Sequence, residues 1–464
     1  MPLLERVEIT GVAAEGKALA RINDKVLFVP FAAPGDVLDV QVRKSRKQYM
    51  EGEVVKVHSL SPIRIDPFCA HFGVCGGCKW QHLPYEKQLA FKQQQVTDNL
   101  ERIGKLDLEQ VTVYPIAGSD KTTFYRNKME YTFSNRRWLS RDEIDSERSI
   151  DDAEGLGLHV PRMFDKVLDI KKCWLQADPS NAIRLAIKEI ALEKGLSFFD
   201  LRANEGLLRN LVIRNTPGGQ VMVLMIFGQD DPDAIADMMQ AIDQRFPELH
   251  SLAYMVNTKR NPSMADLEPV IFKGNPHLEE HMEELVFHVG PKSFFQTNSL
   301  QAKRLYGVVR EFADLQGHEV LYDLYTGTGS IACFLAPRVS KVVGIEYVDE
   351  AVVHARSNAR LNGLDNTSFL AGDMADVFDD ALMDREGYPH VIVTDPPRAG
   401  MHPKVVRQIL QAGAERIVYV SCNPATQARD VESLSSRYQV VKSQAVDMFP
   451  HTQHVENVVL LKRV

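Results

Sequence analysis

From about residue 291 to the C-terminus, short apolar runs alternate regularly with segments of helical periodicity, and this alternation constrains the fold strongly. Apolar runs rich in Val and Ile indicate strands that are buried on both faces. Strands that alternate with helices form a parallel, doubly wound α/β sheet. The predicted strands are residues 320–324, 341–345, 367–370, 390–394, 416–420 and 455–462.

The rest of the chain differs from this region in pattern. A length of 464 residues predicts about three domains. Residues 1–60 contain short β-like runs separated by Gly and Pro turns, which predicts a small OB-type β-barrel. Residues 61–290 mix helix and strand patterns, which predicts a central α+β domain; its mostly acidic stretch 140–154 is predicted to be an inserted loop. Residues 291–464 then form the doubly wound domain.

Composition limits the location of the protein and its mode of binding. The net charge of −8 argues against a protein that coats nucleic acid indiscriminately, although local patches still steer specific binding. The first residues carry charges early and lack the apolar core of a signal peptide. The apolar run 221–227 is far too short to cross a bilayer. We therefore expect a cytoplasmic protein without membrane association.

A basic segment lies in the predicted barrel. Residues 43–49 place four positive charges beside Tyr49, with no acidic residue between them. Such a segment is either a solvated hairpin tip or a loop that contacts nucleic-acid phosphates. The sequence leaves both interpretations open.

Cys422 directly follows the apolar run 416–420 and precedes a polar turn that contains Pro424. The thiol is therefore predicted at the carboxyl end of a strand, where doubly wound sheets collect their chemistry. A cysteine in this position is either a nucleophile or a small core residue, because free Cys is among the most buried residue types.

Acidic residues end three of the neighbouring predicted strands. Asp323 precedes the Gly-rich turn at 327–329, Glu346 ends the next strand and Asp373 follows the third. The turn alone also fits a dinucleotide fingerprint. However, Asp323 would repel a pyrophosphate and would suit the ammonium group of S-adenosylmethionine, whereas Glu346 could accept both ribose hydroxyls. The three acids together favour S-adenosylmethionine over a nicotinamide cofactor.

The fourth strand ends in Asp395-Pro-Pro-Arg398, a rigid turn predicted beside the methyl donor. Amino-group methyltransferases usually carry an aromatic residue after the prolines, so Arg398 points to a different acceptor. Carbon 5 of uracil is one such acceptor, because a thiolate that adds to carbon 6 makes carbon 5 nucleophilic. A base must then remove the carbon-5 proton, and Glu456, near the start of the last strand, is a candidate.

Cysteines also predict a metal site. Cys69, Cys75 and Cys78 lie within ten residues, and Cys173 stands far along the chain. In a reducing compartment this clustering indicates a metal rather than disulfides. Four thiolates suit tetrahedral zinc or a [4Fe–4S] cluster, of which we favour the cluster.

The motifs together resemble the bacterial RNA (uracil-5-)-methyltransferases, specifically the branch that acts on 23S ribosomal RNA. The resemblance extends over nearly the whole chain and includes an N-terminal barrel similar to a TRAM domain. Its segments are Tyr125-Arg-Asn-Lys128, Ser293-Phe-Phe-Gln296-Thr-Asn298, Asp395-Pro-Pro-Arg-Ala-Gly400, Ser421-Cys-Asn-Pro424 and His454-Val-Glu456, with the four cysteines.

This resemblance implies a Rossmann-like methyltransferase domain that forms 5-methyluridine in 23S ribosomal RNA with S-adenosylmethionine as methyl donor. It implies Cys422 as the nucleophile and Glu456 as the proton-abstracting base. The residues implied around the methyl donor are Gln296, Tyr325, Glu346, Asp373 and Asp395. The implied ligands of the [4Fe–4S] cluster are Cys69, Cys75, Cys78 and Cys173.

Three further expectations complete the prediction. Transfer RNA is the alternative substrate, although the transfer-RNA branch generally lacks the barrel and the cysteines. A non-catalytic RNA-binding assembly factor is an alternative of another class, against which Cys422, Glu456 and Asp395 argue together. We expect the protein to be a monomer.

Overall fold

The structure is a computed structural model that describes residues 1–145 and 153–464. It divides into two compact units. The larger unit comprises residues 1–72, 78–122 and 301–464, and the smaller comprises residues 73–77 and 123–300. The central part of the predicted acidic loop, residues 146–152, lies outside the described residues.

The N-terminal part of the larger unit is all-β, as predicted. Its six strands form one sheet in the order β1-β5-β6-β4-β3-β2 around a cluster of buried aliphatic side chains. The basic segment 43–49 comprises the end of β5, the turn 46–48 and the first residue of β6, and these two longest strands pair as an antiparallel hairpin. The strands are Leu3–Glu8 (β1), Gly11–Val12 (β2), Ala18–Ile22 (β3), Lys25–Val29 (β4), Val37–Ser45 (β5) and Tyr49–Ser59 (β6).

Helix α1 (Tyr85–Arg102) and strand β7 (Thr112–Ala117) also belong to the larger unit. The sequence patterns alone group them with the central region. However, the ammonium of Lys92 donates to Asp447 over 2.6 Å, and both side chains are fully buried. This long-range ion pair joins α1 to the C-terminal region, and β7 extends the C-terminal sheet at its edge.

The smaller unit has the predicted α+β pattern. Seven strands form a mixed sheet in the order β10-β9-β8-β11-β12-β13-β14, and β15 and β16 form a separate hairpin. The helices are Arg141–Asp145 (α2), Ser180–Glu193 (α3) and Pro232–Arg245 (α4). The strands are Lys128–Ser134 (β8), Gly155–His159 (β9), Val167–Asp169 (β10), Leu208–Asn215 (β11), Val221–Phe227 (β12), Ser251–Val256 (β13), Val270–Gly274 (β14), Leu278–Met282 (β15) and Leu285–Val289 (β16).

The C-terminal sheet of the larger unit is doubly wound. Its order is β19-β18-β17-β20-β21-β23-β22-β7, in which β17 to β21 are parallel and β23 runs antiparallel to both of its neighbours. The strands are Val320–Leu324 (β17), Lys341–Glu346 (β18), Thr367–Ala371 (β19), Val391–Thr394 (β20), Arg416–Ser421 (β21), Tyr438–Val446 (β22) and Glu456–Arg463 (β23). The helices are Ser299–Ala313 (α5), Ser330–Leu335 (α6), Asp349–Leu361 (α7), Met374–Val377 (α8), Asp380–Glu386 (α9), Pro403–Ala412 (α10) and Pro424–Leu434 (α11).

This topology positions the site. The chain order of the strands reverses between β17 and β20, and ligands of open α/β sheets bind outside the carboxyl ends of the strands at such a point. The central strands are buried because apolar side chains cover both faces. Among the described residues, no helix combines the length and apolar character needed to cross a membrane.

Candidate active site

Cys422 lies in a rigid turn between β21 and α11. Ser421 Oγ accepts a hydrogen bond from the Asn423 amide over 3.1 Å, and Asn423 Oδ1 caps α11 by accepting from the Ala425 amide. Cys422 remains partly exposed at the carboxyl end of the strand, whereas Cys333 is fully buried in α6. Of these two cysteines, only Cys333 therefore has the environment of a core residue.

Hydrogen bonds connect the turn after β20 to the turn that contains Cys422. The backbone carbonyl of Arg398 accepts hydrogen bonds from Asn423 Nδ2 over 2.9 Å and from Thr426 Oγ1 over 3.2 Å. The Arg398 side chain also lies near the thiol of Cys422 and lowers its pKa. By sequence alone, Arg398 only argues against an amino-group acceptor. Its contact with the thiol depends on the adjacent pairing of β20 and β21.

Glu456 is the first residue of β23, which pairs antiparallel with β21 so that Asn457 lies opposite Ser421. This register brings the Glu456 carboxyl beside Cys422, and the side chain is buried. Burial raises the pKa of the Cys422 thiol to about 11, and the negative charges of Glu456 and Asp395 add to the effect. The Arg398 guanidinium acts in the opposite direction.

Three carboxyls of this unit influence one another. Burial, followed by the charge of Asp395, raises the pKa of Glu456, and burial with the charge of Asp323 raises that of Asp395. Burial raises the pKa of Asp323 to about 7. Burial raises the pKa of the Tyr306 phenol, and the charges of the same three acids add to this effect. The Tyr306 hydroxyl shares a hydrogen bond of 2.8 Å with Ser330 Oγ. The site therefore contains three carboxyls whose ionisation is opposed by burial and by their mutual repulsion.

The Gly-rich turn after β17 forms a cradle. Gly327 has a φ of +56°, and its amide donates to Glu346 Oε2 over 3.0 Å. A Cβ atom added to Gly327 would meet no atom within 4 Å, so the space above this residue is open. Gly329 is tightly packed instead, since its Cβ would lie 2.9 Å from the Cβ of Ala355. Thr326 Oγ1 donates to Asp323 Oδ2, which secures the turn to the end of β17.

Tyr325 and Asp373 flank this cradle. Tyr325 has a left-handed φ of +66°, which is uncommon for a residue other than glycine. Burial raises the pKa of its phenol to about 12, with contributions from the charges of Asp430 and Asp373. Asp373 is exposed and caps the short helix α8 through the Ala375 amide. The structure thus brings Tyr325, Glu346, Asp373 and Asp395 to the carboxyl ends of adjacent strands.

Gln296, the fifth predicted contact of the methyl donor, lies in the smaller unit. Its backbone carbonyl accepts a hydrogen bond from Asn127 Nδ2 over 2.9 Å, and Asn127 also donates to Ser299 Oγ. These bonds fix the backbone of the segment that precedes α5. The role of the Gln296 side chain stays a prediction.

The predicted metal ligands occur in both units, and no disulfide joins any of the six cysteines, all of which lie in the described part of the chain. In the smaller unit, Cys75 Sγ accepts from the Gly77 amide over 3.4 Å. Burial raises the pKa of Tyr131, and Cys173 and, more weakly, Cys75 add to the effect. The Asn181 side chain holds the backbone of Cys173 with two hydrogen bonds. In the larger unit, the Cys69 amide donates to Gln81 Oε1, and Cys78 is partly buried.

Comparisons with known proteins show which families the chain resembles. Residues 275–464 match the model of the tRNA (Uracil-5-)-methyltransferase family, and residues 5–55 match that of the TRAM domain. An uncharacterized RNA methyltransferase of Porphyromonas gingivalis is 54% identical over 98% of this chain and 99% of its own length. One of Bacteroides thetaiotaomicron is 54% identical over 97% of this chain and its entire length.

Among solved structures, the Pyrococcus abyssi tRNA (uracil-54, C5)-methyltransferase in complex with S-adenosyl-L-homocysteine is similar, with a TM-score of 0.75 and 28% identity. The similarity covers 98% of this chain and 100% of the archaeal chain. The likeness therefore extends over both units and is not confined to the doubly wound sheet.

Proposed function

The chain belongs to the (uracil-5-)-methyltransferase family of RNA methyltransferases and carries a TRAM domain, and we propose that it methylates carbon 5 of a specific uridine in 23S ribosomal RNA. The proposed mechanism is covalent, with a bond between Cys422 Sγ and carbon 6 of the uracil. The observation that carries it is the position of the Cys422 thiol beside the Glu456 and Asp395 carboxyls and the Arg398 guanidinium.

S-adenosylmethionine fits the charges of this site. Its cationic methionine part would relieve the repulsion among Asp323, Asp395 and Glu456, and one oxygen of buried Asp323 lacks a hydrogen bond of regular geometry among the described residues. The cradle at Gly327 leaves room for the ligand beside Glu346, whose carboxylate suits the ribose hydroxyls. Tyr325, Asp373 and Gln296 complete the proposed set of contacts. When bound, the cofactor supplies an electrophilic methyl group.

Cys422 and Glu456 perform the covalent steps of the proposal. The Cys422 thiolate adds to carbon 6 and places an electron pair on carbon 5. With the cofactor bound, this pair would take the methyl group, whose bond to the sulfonium sulfur would break and leave its electrons on the sulfur. Glu456 then takes the carbon-5 proton, the carbon 5–carbon 6 double bond forms again, and the thiolate leaves. Burial and Asp395 raise the pKa of Glu456, which makes its carboxylate a stronger base than an exposed one. Arg398 favours the thiolate form of Cys422.

Two RNA classes are candidates for the substrate. The N-terminal TRAM domain and the four cysteines favour 23S ribosomal RNA, by the resemblance described above. Transfer RNA is the second candidate, because a transfer-RNA enzyme of Pyrococcus abyssi is similar over 98% of this chain. Maps of 5-methyluridine in both RNAs, with and without this protein, distinguish the two. Loss of the modification from transfer RNA alone would contradict the ribosomal proposal.

We also propose that Cys69, Cys75, Cys78 and Cys173 hold a [4Fe–4S] cluster with a structural role. Four thiolates are the donor set of such a cluster. The buried Arg184 guanidinium lies near Cys173 and donates to backbone carbonyls of residues 170 and 171, so its positive charge is compatible with an anionic group nearby. Iron analysis after anaerobic purification tests the assignment. Stoichiometric zinc without iron would contradict it.

The covalent mechanism has a direct test with RNA that contains 5-fluorouridine. Fluorine at carbon 5 cannot be removed as a proton, so elimination stops and the protein remains bound to the RNA. We expect a band on a denaturing gel that depends on S-adenosylmethionine and disappears in Cys422→Ala. Cys333→Ala, which removes a different thiol, should retain the band. An amino-group methyltransferase or a non-catalytic assembly factor would form no such adduct.

A further inference from the structure

The hairpin of β15 and β16 in the smaller unit carries a cluster of histidines and one acid on its outer face. His277 directly precedes β15, and its imidazole ring stacks on that of His288. In the antiparallel register, Glu279 lies directly opposite His288. The three side chains therefore converge on one face, while Glu280 and Phe287 point to the buried face.

The distances between these side chains are short. One potential ligand atom from each of His277, Glu279 and His288 lies within 4.8 Å of the other two. The two imidazole rings stack, with centroids 3.5 Å apart and an interplanar angle of 21°. Glu279 Oε1 lies 4.0 Å from His288 Nε2. All three residues are partly buried, so the cluster lies at the boundary between the protein surface and the core.

The chemistry of these three side chains suits a divalent cation. A neutral imidazole is the form that binds a metal, and stacked rings at this distance would repel each other if both were charged. The Glu279 carboxylate supplies the negative charge that a divalent cation requires.

We propose that His277, Glu279 and His288 form a zinc site. Two imidazole nitrogens and one carboxylate oxygen are a known donor set for zinc, which leaves the fourth tetrahedral position for water or a further side chain. Zinc bonds of about 2.0–2.2 Å separate ligand atoms by roughly 3.4 Å, so modest side-chain rotations would bring the three atoms into place. His281, whose Nε2 lies 4.0 Å from Glu279 Oε2, is near enough to be the fourth ligand.

A metal at this place would link the two strands of the hairpin. Among the described residues, these strands pair only with each other. On its buried face, Glu280 accepts hydrogen bonds from Asn127 Nδ2 over 3.2 Å and Ser299 Oγ over 3.0 Å. A metal that joins the two strands would stabilise the hairpin and thus the position of Glu280. This inference is independent of the proposed methyl transfer.

Zinc binding to the full chain, purified without a polyhistidine tag, tests the proposal. After equilibrium dialysis against micromolar zinc sulfate, we expect wild-type protein to hold one more zinc equivalent than His288→Ala or Glu279→Gln. In these variants, the affinity for this zinc ion should fall more than about a hundredfold. Even residues that only hydrogen-bond to metal ligands contribute 10- to 100-fold to metal affinity. His318→Ala, an exposed histidine of the larger unit, is the matched control and should bind as wild type does. Any zinc that the cysteines bind is the same in wild type and variants, so it does not affect the difference in zinc content.

A measurement without variants covers the case in which the substitutions impair folding. In wild-type protein, zinc should protect His277 and His288 from diethyl pyrocarbonate, as read by mass spectrometry, and leave His318 reactive. Zinc should also raise the thermal midpoint of wild-type protein. Equal zinc content in the folded variants, or equal modification of His277 and His288 with and without zinc, would overturn the proposal.

Discussion

At the scale of single residues, the main feature is a thiol whose acidity depends on three charged neighbours. Burial, Glu456 and Asp395 raise the pKa of Cys422 to about 11, and Arg398 lowers it. The thiol must lose its proton to become a nucleophile, so kcat/KM should rise with pH until the thiol of the free enzyme is ionised.

Arg398→Ala should shift this rising limb to higher pH and lower kcat/KM at pH 7, because it removes the cation that favours the thiolate. Arg398→Lys should restore part of the rate. The control is Arg407→Ala, an exposed arginine on α10, which should leave the pH profile unchanged. A profile of Arg398→Ala that coincides with wild type would show that Arg398 does not act on the thiol.

Glu456 has a distinct expected phenotype. Glu456→Gln keeps the size of the side chain but removes the base, so turnover should fall about 10²- to 10⁴-fold. The addition of Cys422 does not require this base, so a covalent complex with ordinary uridine RNA should accumulate on denaturing gels. Glu415→Gln, an exposed acid at the opposite end of β21, is the control. Normal turnover in Glu456→Gln would assign the proton abstraction to another group.

At the scale of elements, the cap of α11 combines stability with function. Asn423 caps the helix and also donates to the Arg398 carbonyl, which joins two catalytic turns. Asn423→Ala should lower the free energy of unfolding by about 1 kcal/mol and should also lower kcat. Asp379→Ala removes the cap of α9 and is the matched control, with a similar loss in urea unfolding and unchanged kcat. Equal kcat values for the two variants would show that Asn423 contributes to stability but not to catalysis.

The tip of the β5–β6 hairpin carries exposed basic side chains. Arg43 and Lys44 form ion pairs with Glu53 and Glu51, whereas Arg46 and Lys47 are exposed at the tip.

If the tip binds phosphates, the double variant Arg46→Ala/Lys47→Ala should weaken RNA binding. It should also reduce the slope of log K against log salt by about 0.7–0.9 for each phosphate that the two side chains neutralise in wild-type protein. Arg102→Ala/Lys105→Ala, at the end of α1, provides a charge-matched control. An unchanged slope would favour the solvated-tip interpretation.

At the scale of the whole molecule, the four cysteines connect composition with stability. Cys173→Ala should abolish iron binding and lower the thermal midpoint, while folded protein retains turnover, since the predicted role of the cluster is structural. Metal analysis, calorimetry and methyl transfer under anaerobic conditions measure these three properties. Complete loss of turnover in folded, cluster-free protein would contradict a structural role. The expected monomer and the domain boundaries at residues 60 and 290 remain predictions.

The sequence determined those parts of the molecule that depend on local pattern. Apolar runs identified six of the seven strands between residues 320 and 463, because burial on both faces leaves an unbroken apolar signature. The sequence pattern did not predict β22, because its polar residues and the bulge between Val440 and Lys442 interrupt the apolar run. Strand-end positions of Cys422, Asp395 and Glu346 followed from the same runs.

Tertiary structure decided what distant segments do together. The register of β23 against β21 brings Glu456 beside Cys422, although by sequence Glu456 resembles an ordinary surface acid. Arg398 reaches the thiol only because β20 and β21 are neighbours in the sheet. The buried pair of Lys92 and Asp447 assigns α1 to the larger unit across more than three hundred residues. Such pairings depend on long-range packing, for which a single sequence carries no periodic signal, so the chemistry of each residue was visible in advance but its partners were not.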